Sequence, residues 1–502
     1  MKFIKKLFCF FFIKICSKNA KKNNNNVNNV NLNNELNNSG NLNNDFDLYE
    51  KLLSHQVFGI CIKCNKPNSH YYWCKDCYSK KFQQNFGNWT SKNVYVDNFI
   101  RELQLKARNR FELLEWVPYD RLRNIKFLAQ GGFSTVYEAI WLDGLIDSWD
   151  YRKNVWKREV DELNVSHEDS NNSKIKNPLK SNEKYGYYVV LKSLNDSSNM
   201  NDHFLNEWRL HLECQYKVAS SGSTLAPLIG ITQDPETLNY MIVMAKLPFG
   251  SLRDNLLIKR YNPNDKFHNL LLISTQLEAI HKLNLVHGDF HSGNLLCHDH
   301  ELITISDLGL CRLVNHDYHK KNEIYGILPY MAPEVLRGKS YTKAADIYSF
   351  GIIMWEMTSG IPAFHNVPHD LSLSLNVCRG IRPEIMEGTN PEYAELMKRC
   401  WDNDPEKRPT ANELKRIFLK WAEIYPMEED EKNRKPVPKN ETDVECYQKS
   451  YYTSRKIQHS DRLNAIFAQI ELSNKIIINE NNGNHDNEII MSDNLADCVI
   501  EG

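Results

Sequence analysis

The chain has 502 residues, which is enough for about three domains of ordinary size. Hydrophobic residues make up 41% and aromatic residues 11% of the sequence, so the composition excludes wholesale disorder. The 62 Lys and Arg residues nearly balance the 63 Asp and Glu residues, which argues against a globally basic nucleic-acid-binding protein. The sequence contains no run of about 18 apolar residues, so no transmembrane segment is predicted.

The first residues imitate a secretory signal, because Lys2, Lys5 and Lys6 precede the apolar run Leu7–Ile13. Lys14 ends this run early, and no cleavage site of small residues follows it. We therefore expect a start that is unstructured or touches membranes only weakly. The 13 cysteines are an odd number and most are scattered, which is typical of a reducing compartment, so a cytoplasmic location is predicted.

Asparagine dominates the sequence that follows. Residues 23–44 contain 14 Asn among 22 positions, with almost nothing that could pack in a core. Residues 1–50 are therefore predicted to be a disordered amino terminus.

Four cysteines form two Cys-x2-Cys pairs, Cys61 with Cys64 and Cys74 with Cys77, in a stretch that we call the cysteine element (residues 55–90). Four thiolates at this spacing can converge on a tetrahedral Zn²⁺ ion, with Zn–S distances of about 2.3 Å. The spacing predicts a zinc-ribbon-like element with a structural ion and a core separate from that of the main domain. Free thiols, or two disulfides in a secreted chain, are the alternatives.

Residues 124–424 combine strand and helix patterns and are predicted to form the main domain. Short alternating apolar runs predict strands, and longer runs with a 3.6-residue period predict helices. The strand runs are Ile125–Leu128, Val136–Ile140, Tyr187–Leu194 and Tyr240–Met244, and the helical runs include Leu270–His281 and Ala344–Thr358. A strand-rich part followed by a helix-rich part indicates an α+β domain with two lobes, or two adjacent domains.

Two polar regions interrupt or follow this domain. Residues 143–184 form a long insertion without apolar periodicity, which predicts a surface loop or a disordered segment. Residues 427–502 are rich in Lys, Glu and Asn and are predicted to be mostly disordered, and only Arg455–Ile478 has apolar spacing suited to a helix.

The motif with the clearest chemistry spans residues 287–294 and reads His-Gly-Asp-Phe-His-Ser-Gly-Asn. Asp289 precedes Asn294 by five residues, a spacing that can place a base at a hydroxyl and an amide oxygen at a metal ion. Asp307 then opens an Asp-Leu-Gly triplet, and its carboxylate is a hard ligand suited to Mg²⁺ between phosphates. The series continues with Ala-Pro-Glu at 332–334 and Asp-Ile-Tyr-Ser-Phe-Gly at 346–351.

In this order and spacing, the motifs resemble those of the eukaryotic protein kinases, and the resemblance covers residues 124–424. It implies a bilobal kinase fold with a strand-rich first lobe and a helical second lobe. It further implies that Lys192 orients the phosphates of ATP, that Glu207 holds Lys192, and that Asp289 is the catalytic base. Asn294 and Asp307 would bind Mg²⁺.

The resemblance also implies which residues contact ATP. Val190 would lie above the adenine, Met244 at the gatekeeper position, and Ala245 to Leu247 at the adenine-contacting hinge. The phosphate-covering loop and its flanks would be Ala129, Gln130, Gly131, Gly132, Phe133, Ser134 and Val136. Under the activation segment (residues 307–334), Glu334 and Arg408 would form a structural ion pair.

The sequence departs from the family pattern in the phosphate-covering loop. Gly131 alone remains of three pattern glycines, because Ala129 and Ser134 stand at the other two positions. A side chain restricts how closely the backbone can approach a phosphate, so ATP binding is expected to be weakened or tuned, and not lost. Val190 replaces a smaller residue and narrows the adenine pocket, whereas Leu308 for Phe is a tolerated apolar exchange.

A second departure concerns regulation. Gly288 replaces the Arg that, in the family, receives the phosphate of the activation segment. The activation segment itself contains no Ser or Thr, so only Tyr318, Tyr325 and Tyr330 could be phosphorylated there. We therefore expect an active arrangement that does not need phosphorylation of this segment.

Two other classes of protein share parts of this motif set. Small-molecule phosphotransferases of the aminoglycoside and choline kinase type share the His-Gly-Asp triplet, but they are not expected to carry the motifs at 332–334 and 346–351 or Arg408-Pro409. A pseudokinase scaffold usually lacks the Lys, the base or the metal-binding Asp, and this sequence keeps Lys192, Asp289 and Asp307. The motifs therefore favour an active protein kinase.

The substrate class is less sharply indicated. His291 and Ile327 stand where Ser/Thr kinases carry Lys and Thr, and residues 287–294 lack the Arg of tyrosine kinases. The pattern is nearest to the tyrosine-kinase-like group, so Ser/Thr hydroxyls of intracellular signalling proteins are predicted, with Tyr left open. The cysteine element resembles a segment that precedes the kinase domain in a large, expanded fungal kinase family, and its regulatory partner is not identified.

Overall fold

The computed structural model describes most of the chain between residues 58 and 469. The described residues are 58–70, 72–130, 134–163, 175–195, 197–198, 205, 208–209, 212–215, 225–307, 312–313, 324–428, 431–437, 448, 450–458 and 460–469. The predicted disorder of residues 1–50 lies outside them. None of the helices described for this chain combines the length and the apolar character that a membrane span requires.

Two helices precede the main domain, α1 (Lys75–Asn85) and α2 (Val94–Lys106). α2 begins at Asn93, whose side-chain oxygen accepts the backbone N–H groups of Tyr95 and Val96 and so caps the helix. Apolar residues of α2 pack with residues from a second helical stretch, which is described at 205, 208–209 and 212–215. The buried members of this contact are Val96, Phe99, Ile100, Leu205, Trp208 and Leu212.

The first lobe is built on a twisted sheet. Its strands are β1 (Glu115–Trp116), β2 (Leu122–Gln130), β3 (Ser134–Trp141), β6 (Asp161–Glu162), β7 (Tyr185–Leu194), β8 (Leu228–Gln233) and β9 (Tyr240–Ala245), while β4 (Leu145–Asp150) and β5 (Val155–Glu159) form a separate hairpin. The order across the sheet is β1-β8-β9-β7-β3-β2, with β6 on β7, and only the β1–β8 pairing is parallel. Val189 and Leu191 of β7 are fully buried. Because side chains alternate along a strand, Val190 and Lys192 face the opposite side of the sheet.

The second lobe is helical. Its helices are α3 (Leu256–Tyr261), α4 (Pro263–Lys282), α5 (Pro333–Leu336), α6 (Lys343–Ser359), α7 (Leu371–Cys378), α8 (Pro391–Cys400), α9 (Ala411–Ile424) and α10 (460–469). Short strand pairs join them: β10 (Leu285–Val286) with β13 (Arg312–Leu313), β11 (Leu295–Cys297) with β12 (Ile303–Ile305), and β14 (Ile324–Gly326) with β15 (Arg455–Ile457).

Local sequence explains where two of these helices begin and end. Thr410 caps α9 by accepting the N–H of Glu413 at 3.2 Å, the first half of a Thr-x-x-Glu capping box. Almost every residue of α6 is buried, and Gly360 ends it with a φ of 80°, a left-handed conformation that favours glycine. α6 is therefore the central helix of the lobe.

The strand and helix predictions for the main domain are confirmed. The four predicted strand runs lie within β2, β3, β7 and β9, and the two predicted helical runs lie within α4 and α6. The two-lobed α+β architecture follows from them, with the sheet in the first lobe and the helices in the second.

The predictions of a loop-like insertion and of separate cores are wrong for the described residues. We call β4 and β5 the insertion hairpin; Trp149 and Trp156 face each other across it. Trp156 stacks on Phe82 of α1 at a centroid distance of 4.4 Å, and the backbone N–H of Trp149 donates to the Tyr78 hydroxyl at 3.1 Å. The cysteine element thus shares one aromatic core with an insertion of the main domain. Residues 164–174 lie outside the described part.

The tail is described only in part, and the helix predicted within Arg455–Ile478 is confirmed by α10 (460–469). We call residues 450–458 and 460–469 the tail segment; it contains β15 and α10. Ile457 and Leu463 are buried in the core of the helical lobe, a contact with the main domain that the predicted helix by itself does not indicate. Residues 438–447 and 470–502 lie outside the described residues.

Candidate active site

The side chain of Asp346 on α6 anchors the loop at residues 287–294. The carboxylate accepts the backbone N–H groups of His287 at 2.9 Å and Gly288 at 3.1 Å, and the side chain of His281 donates to it at 2.9 Å. Burial opposes ionisation, but the bonds from His281 and from the backbone of His287 hold the pKa of Asp346 below its ordinary value. Gly288, which stands where the family carries Arg, has a φ of 79°, a left-handed conformation that favours glycine.

Asp289 and Asn294 are joined directly. Asn294 Nδ2 donates to the carbonyl oxygen of Asp289 at 2.9 Å, and the Asp289 backbone N–H donates to His287 Nδ1 at 3.3 Å. His291 Nε2 lies 3.6 Å from a carboxylate oxygen of Asp289. Burial lowers the pKa of His291 despite this neighbour, so the imidazole is neutral at pH 7 and does not neutralise Asp289.

Asp307 lies beside the same loop. Strand β12 pairs with β11, and the backbone N–H of Ser306 donates to the carbonyl of Asn294 at 2.8 Å, which places Asp307 next to Asn294 along the ladder. Asp307 has a φ of 56°, which is uncommon outside glycine and turns the chain sharply after the strand. Its carboxylate is 2.5 Å from Lys192 Nζ, so the ammonium of the first lobe contacts the carboxylate of the second.

Four predicted nucleotide-contacting residues share the face of the sheet that carries Lys192. Val136 of β3 is paired with Lys192 of β7, and Met244 of β9 is paired with Val190 of β7. Paired residues on neighbouring strands lie on the same face of a sheet. Ala129 is opposite Val136 and joins them. The neighbouring backbone of β9 continues through Ala245 towards Leu247, which is half-buried.

The structure does not describe every predicted site residue. Gly131, Gly132, Phe133 and Glu207 lie outside the described residues, so the loop over the phosphates and the partner of Lys192 stay predictions. Gln130 and Ser134, at the two ends of that loop, are described: Gln130 accepts the Thr135 hydroxyl at 2.9 Å, and Ser134 is buried.

Comparison with known proteins decides the family. A family model for protein tyrosine and serine/threonine kinases matches residues 122–418, more than half of the chain. The chain belongs to the protein tyrosine and serine/threonine kinase family. We call the matched residues the kinase domain.

Named relatives are similar over the same region. A probable serine/threonine-protein kinase from Dictyostelium discoideum is 30% identical over 262 residues, which is 48% of this chain and 18% of the relative. Serine/threonine-protein kinase STY46 from Arabidopsis thaliana is 28% identical over 248 residues, covering 49% of this chain and 41% of the relative. Serine/threonine/tyrosine-protein kinase HT1 from Arabidopsis thaliana is 32% identical over 151 residues, covering 30% of this chain and 38% of the relative. The chain therefore spans less than half of each of these relatives.

The predicted ion pair of the kinase domain is confirmed. Arg408 donates to both carboxylate oxygens of Glu334, at 2.7 and 2.8 Å, and its side chain is completely buried. Arg408 also donates to the carbonyls of Ala344 and Asp402, so the guanidinium is well bonded.

Tyr330, counted among three modifiable tyrosines, is not accessible. It is 3% exposed, and its hydroxyl is bonded to Glu356 at 2.6 Å and to Ser292 at 2.9 Å. Burial raises its pKa, so the phenol stays protonated and ties the activation segment to the loop that carries Asp289. Tyr318 lies outside the described residues, and Tyr325 lies in β14.

Sequence reasoning missed Arg253. Its guanidinium donates to His291 Nδ1 at 3.3 Å and to the carbonyl of Tyr452 at 2.7 Å, and it lies over the rings of Tyr330 and Tyr452. The contact joins residues 38 and 199 positions apart, and no motif at 253 indicates it. The cation of Arg253 thus lies beside residues 287–294, which we call the catalytic loop after their place in the kinase motif series, although Gly288 supplies no cation.

The four cysteines of the cysteine element form one cluster. Their sulfur atoms all lie within 4.8 Å of one another, with Cys61 and Cys77 3.8 Å apart and Cys64 and Cys74 3.6 Å apart. These separations exclude disulfide bonds, whose S–S length is about 2.05 Å. A tetrahedral ion with Zn–S distances of about 2.3 Å requires sulfur atoms about 3.8 Å apart, so the cluster fits Zn²⁺.

Proposed function

We propose that the chain is an ATP-dependent protein kinase that phosphorylates Ser and Thr hydroxyls of cytoplasmic signalling proteins. The observation that carries the proposal is one connected site: Asn294 holds the backbone of Asp289, and its own backbone is bonded to the residue before Asp307. Lys192 reaches that site from the other lobe.

Each residue has a definite role in this proposal. Asp289 accepts the proton of the substrate hydroxyl. At the same time the hydroxyl oxygen bonds to the γ-phosphorus of ATP, and the bond between the γ-phosphorus and ADP breaks. Lys192 orients the phosphates, and Glu207 is its proposed partner in the first lobe. Asn294 and Asp307 offer an amide and a carboxylate oxygen, the hard donors that Mg²⁺ prefers. When bound, Mg²⁺ supplies charge neutralisation at the phosphates.

The nucleotide is proposed to lie against the face of the sheet that carries Lys192. Val136, Val190 and Met244 provide an apolar surface for the adenine beside that charge. The hinge at Ala245 and Leu247 and the loop from Ala129 and Gln130 through Gly131, Gly132 and Phe133 to Ser134 complete the proposed contacts. The missing loop glycines predict weaker binding of the phosphates.

Relatives support the choice of Ser/Thr. The Dictyostelium relative and STY46 carry serine/threonine-protein kinase in their names, and HT1 carries serine/threonine/tyrosine-protein kinase. We propose membership of the tyrosine-kinase-like group. The proposed place in an expanded fungal family rests on the cysteine element alone.

We further propose that the cysteine element binds one structural Zn²⁺ ion through Cys61, Cys64, Cys74 and Cys77. The sulfur separations support this, and four thiolate ligands leave no position for a substrate. Metal analysis of protein purified without chelator should give one zinc per chain, and Cys378→Ser should keep it. A Cys61→Ser, Cys77→Ser variant should lose it, and zinc-free wild-type protein would refute the proposal.

The function is tested by incubating the full chain with labelled ATP and arrays of peptides that contain Ser, Thr or Tyr. Label on Ser and Thr, identified by phosphoamino-acid analysis, is the expected result. Label on Tyr alone would contradict the assigned substrate class. Binding of ATP without any transfer would indicate the pseudokinase alternative.

A further inference from the structure

The tail segment adds a strand to the activation segment. β15 pairs antiparallel with β14, with Ile457 opposite Ile324, Lys456 opposite Tyr325 and Arg455 opposite Gly326. β14 lies eight residues before Glu334, in the part of the activation segment that leads to Tyr330. The backbone edge of this segment is therefore occupied by the same chain.

Side chains anchor the tail segment on both sides of this strand. The Tyr452 hydroxyl donates to the Ala363 carbonyl at 2.8 Å, and its ring packs edge-on against His369 at 4.9 Å. Ile457 is 5% exposed and Leu463 is completely buried. On α10, Asn464 donates to the carbonyl of Arg337 at 2.7 Å. These contacts seat the segment specifically in one register.

The same segment reaches the loop that carries the proposed base. The carbonyl of Tyr452 accepts from Arg253, and Arg253 donates to His291, whose ring lies 3.6 Å from Asp289. Two side chains therefore separate the tail backbone from Asp289. The tail backbone thus lies close to the place where a substrate hydroxyl would meet Asp289.

We propose that the tail segment occupies the docking surface for protein substrates and competes with them in cis. An extended peptide binds most readily by adding a strand to a free backbone edge, and the edge beside the catalytic loop is the one that β15 covers. This proposal rests on the protein kinase function proposed above. The surface formed by β14, Arg253 and His369 is proposed to bind an extended protein segment, either the tail segment or a substrate.

The tail segment is expected to affect the binding of protein substrates and not the binding of ATP. The contacts of the tail segment lie on the second lobe and the activation segment, whereas the face that carries Val136, Val190 and Lys192 lies on the sheet of the first lobe. Release of the tail should therefore change the KM for peptide and not the KM for ATP.

The test uses two variants of the full chain with a matched control. Lys456→Pro removes a backbone N–H and restricts the strand, and Tyr452→Ala removes the anchor at Ala363 without changing the backbone. Lys456→Ala keeps the backbone pairing. If the tail covers the surface nine-tenths of the time, KM for a degenerate Ser/Thr peptide mixture should fall about tenfold in both variants and stay unchanged in the control.

A binding measurement makes the test independent of catalysis. A fluorescent synthetic peptide of residues 448–469 should bind the Lys456→Pro and Tyr452→Ala variants and not the wild-type chain. Equal binding to all proteins, or unchanged or raised peptide KM in both variants, would overturn the proposal. Peptide binding to the variants without any phosphotransfer would support the docking surface and refute the kinase function.

Discussion

The catalytic loop and the cysteine element are both short irregular segments, yet they are held in different ways. Asp346 and the Glu334–Arg408 pair fix the loop and the activation segment from inside a large helical core. The cysteine element has a small aromatic core shared with the insertion hairpin, together with four thiols. The loop is therefore shaped by buried polar bonds within the main domain, whereas the cysteine element completes its core with the insertion hairpin and with the four thiols that we propose bind Zn²⁺.

The largest expected effect separates a buried ion pair from an exposed one. Arg408→Ala leaves Glu334 buried without its cation, which should lower the free energy of unfolding of the kinase domain by about 3–5 kcal/mol. Arg399→Ala is the control, because Arg399 and Glu413 form a similar pair at the surface, and about 0–1 kcal/mol is expected there. Urea unfolding of the full chain measures both, and equal losses would contradict the account.

The second prediction tests the shared core of the cysteine element. Trp156→Ala removes the ring that stacks on Phe82 and contacts Tyr78, and it should destabilise the element by about 3 kcal/mol. Hydrogen exchange of the α1 amides should accelerate, and zinc should leave faster to a chelator. Val155→Ala, at an exposed position of the same hairpin, should change neither. Unchanged exchange in Trp156→Ala would show that the cores are separate after all.

The third prediction uses pH to probe the charges that join α4 and α9. Burial opposes ionisation of Glu278, but hydrogen bonds from Lys282, Lys415 and Asn412 outweigh it and lower its pKa from 4.5 to about 2. A lowered folded-state pKa stabilises the protein above the unfolded value, and this stabilisation is lost as the pH falls from about 4.5 to 2.

Glu278→Gln should therefore remove about 2 kcal/mol of the stability lost over that acid range. Unfolding measured at several pH values should show a shallower acid limb in this variant. Glu423→Gln, on the exposed side of α9, is the control and should keep the wild-type limb. The same steep limb in Glu278→Gln would contradict the assignment of the charges.

The smallest expected effect concerns the activation segment. Gly288 leaves no Arg beside Asp289, and Arg253 already donates to Tyr452 and His291. Phosphatase treatment and Tyr318→Phe, Tyr325→Phe substitution should therefore change turnover less than about twofold, which is under about 0.5 kcal/mol in the barrier. Tyr330 is kept unchanged, because its buried hydroxyl is hydrogen-bonded to Glu356 and Ser292 and its loss would disturb the structure. A tenfold loss would show that the segment is switched.

Sequence reasoning succeeded where pattern and chemistry coincide. The strand runs at 187–194 and 240–244 and the helical run at 344–358 were predictable, because buried apolar residues repeat there at the period of the element. Glu334 and Arg408 were predictable only through the family resemblance, since 74 positions separate them.

The rest depends on contacts that a linear pattern does not carry. The apolar residues of the insertion hairpin do not alternate regularly, and Trp149 and Trp156 indicate a core only when they contact Tyr78 and Phe82. The tail segment likewise buries Ile457 and Leu463 in the core of the helical lobe, among residues that lie far away in the sequence. Arg253 acts at the catalytic loop through tertiary geometry alone.

The central claim is that Asp289 is the base of a protein kinase, and one comparison of variants tests it most directly. Asp289→Asn should lower phosphotransfer to Ser/Thr peptides by about a thousandfold while ATP affinity stays within about twofold of wild type. Asp402→Asn, which changes an aspartate outside the site, should retain full transfer. Undiminished transfer by Asp289→Asn would contradict the account.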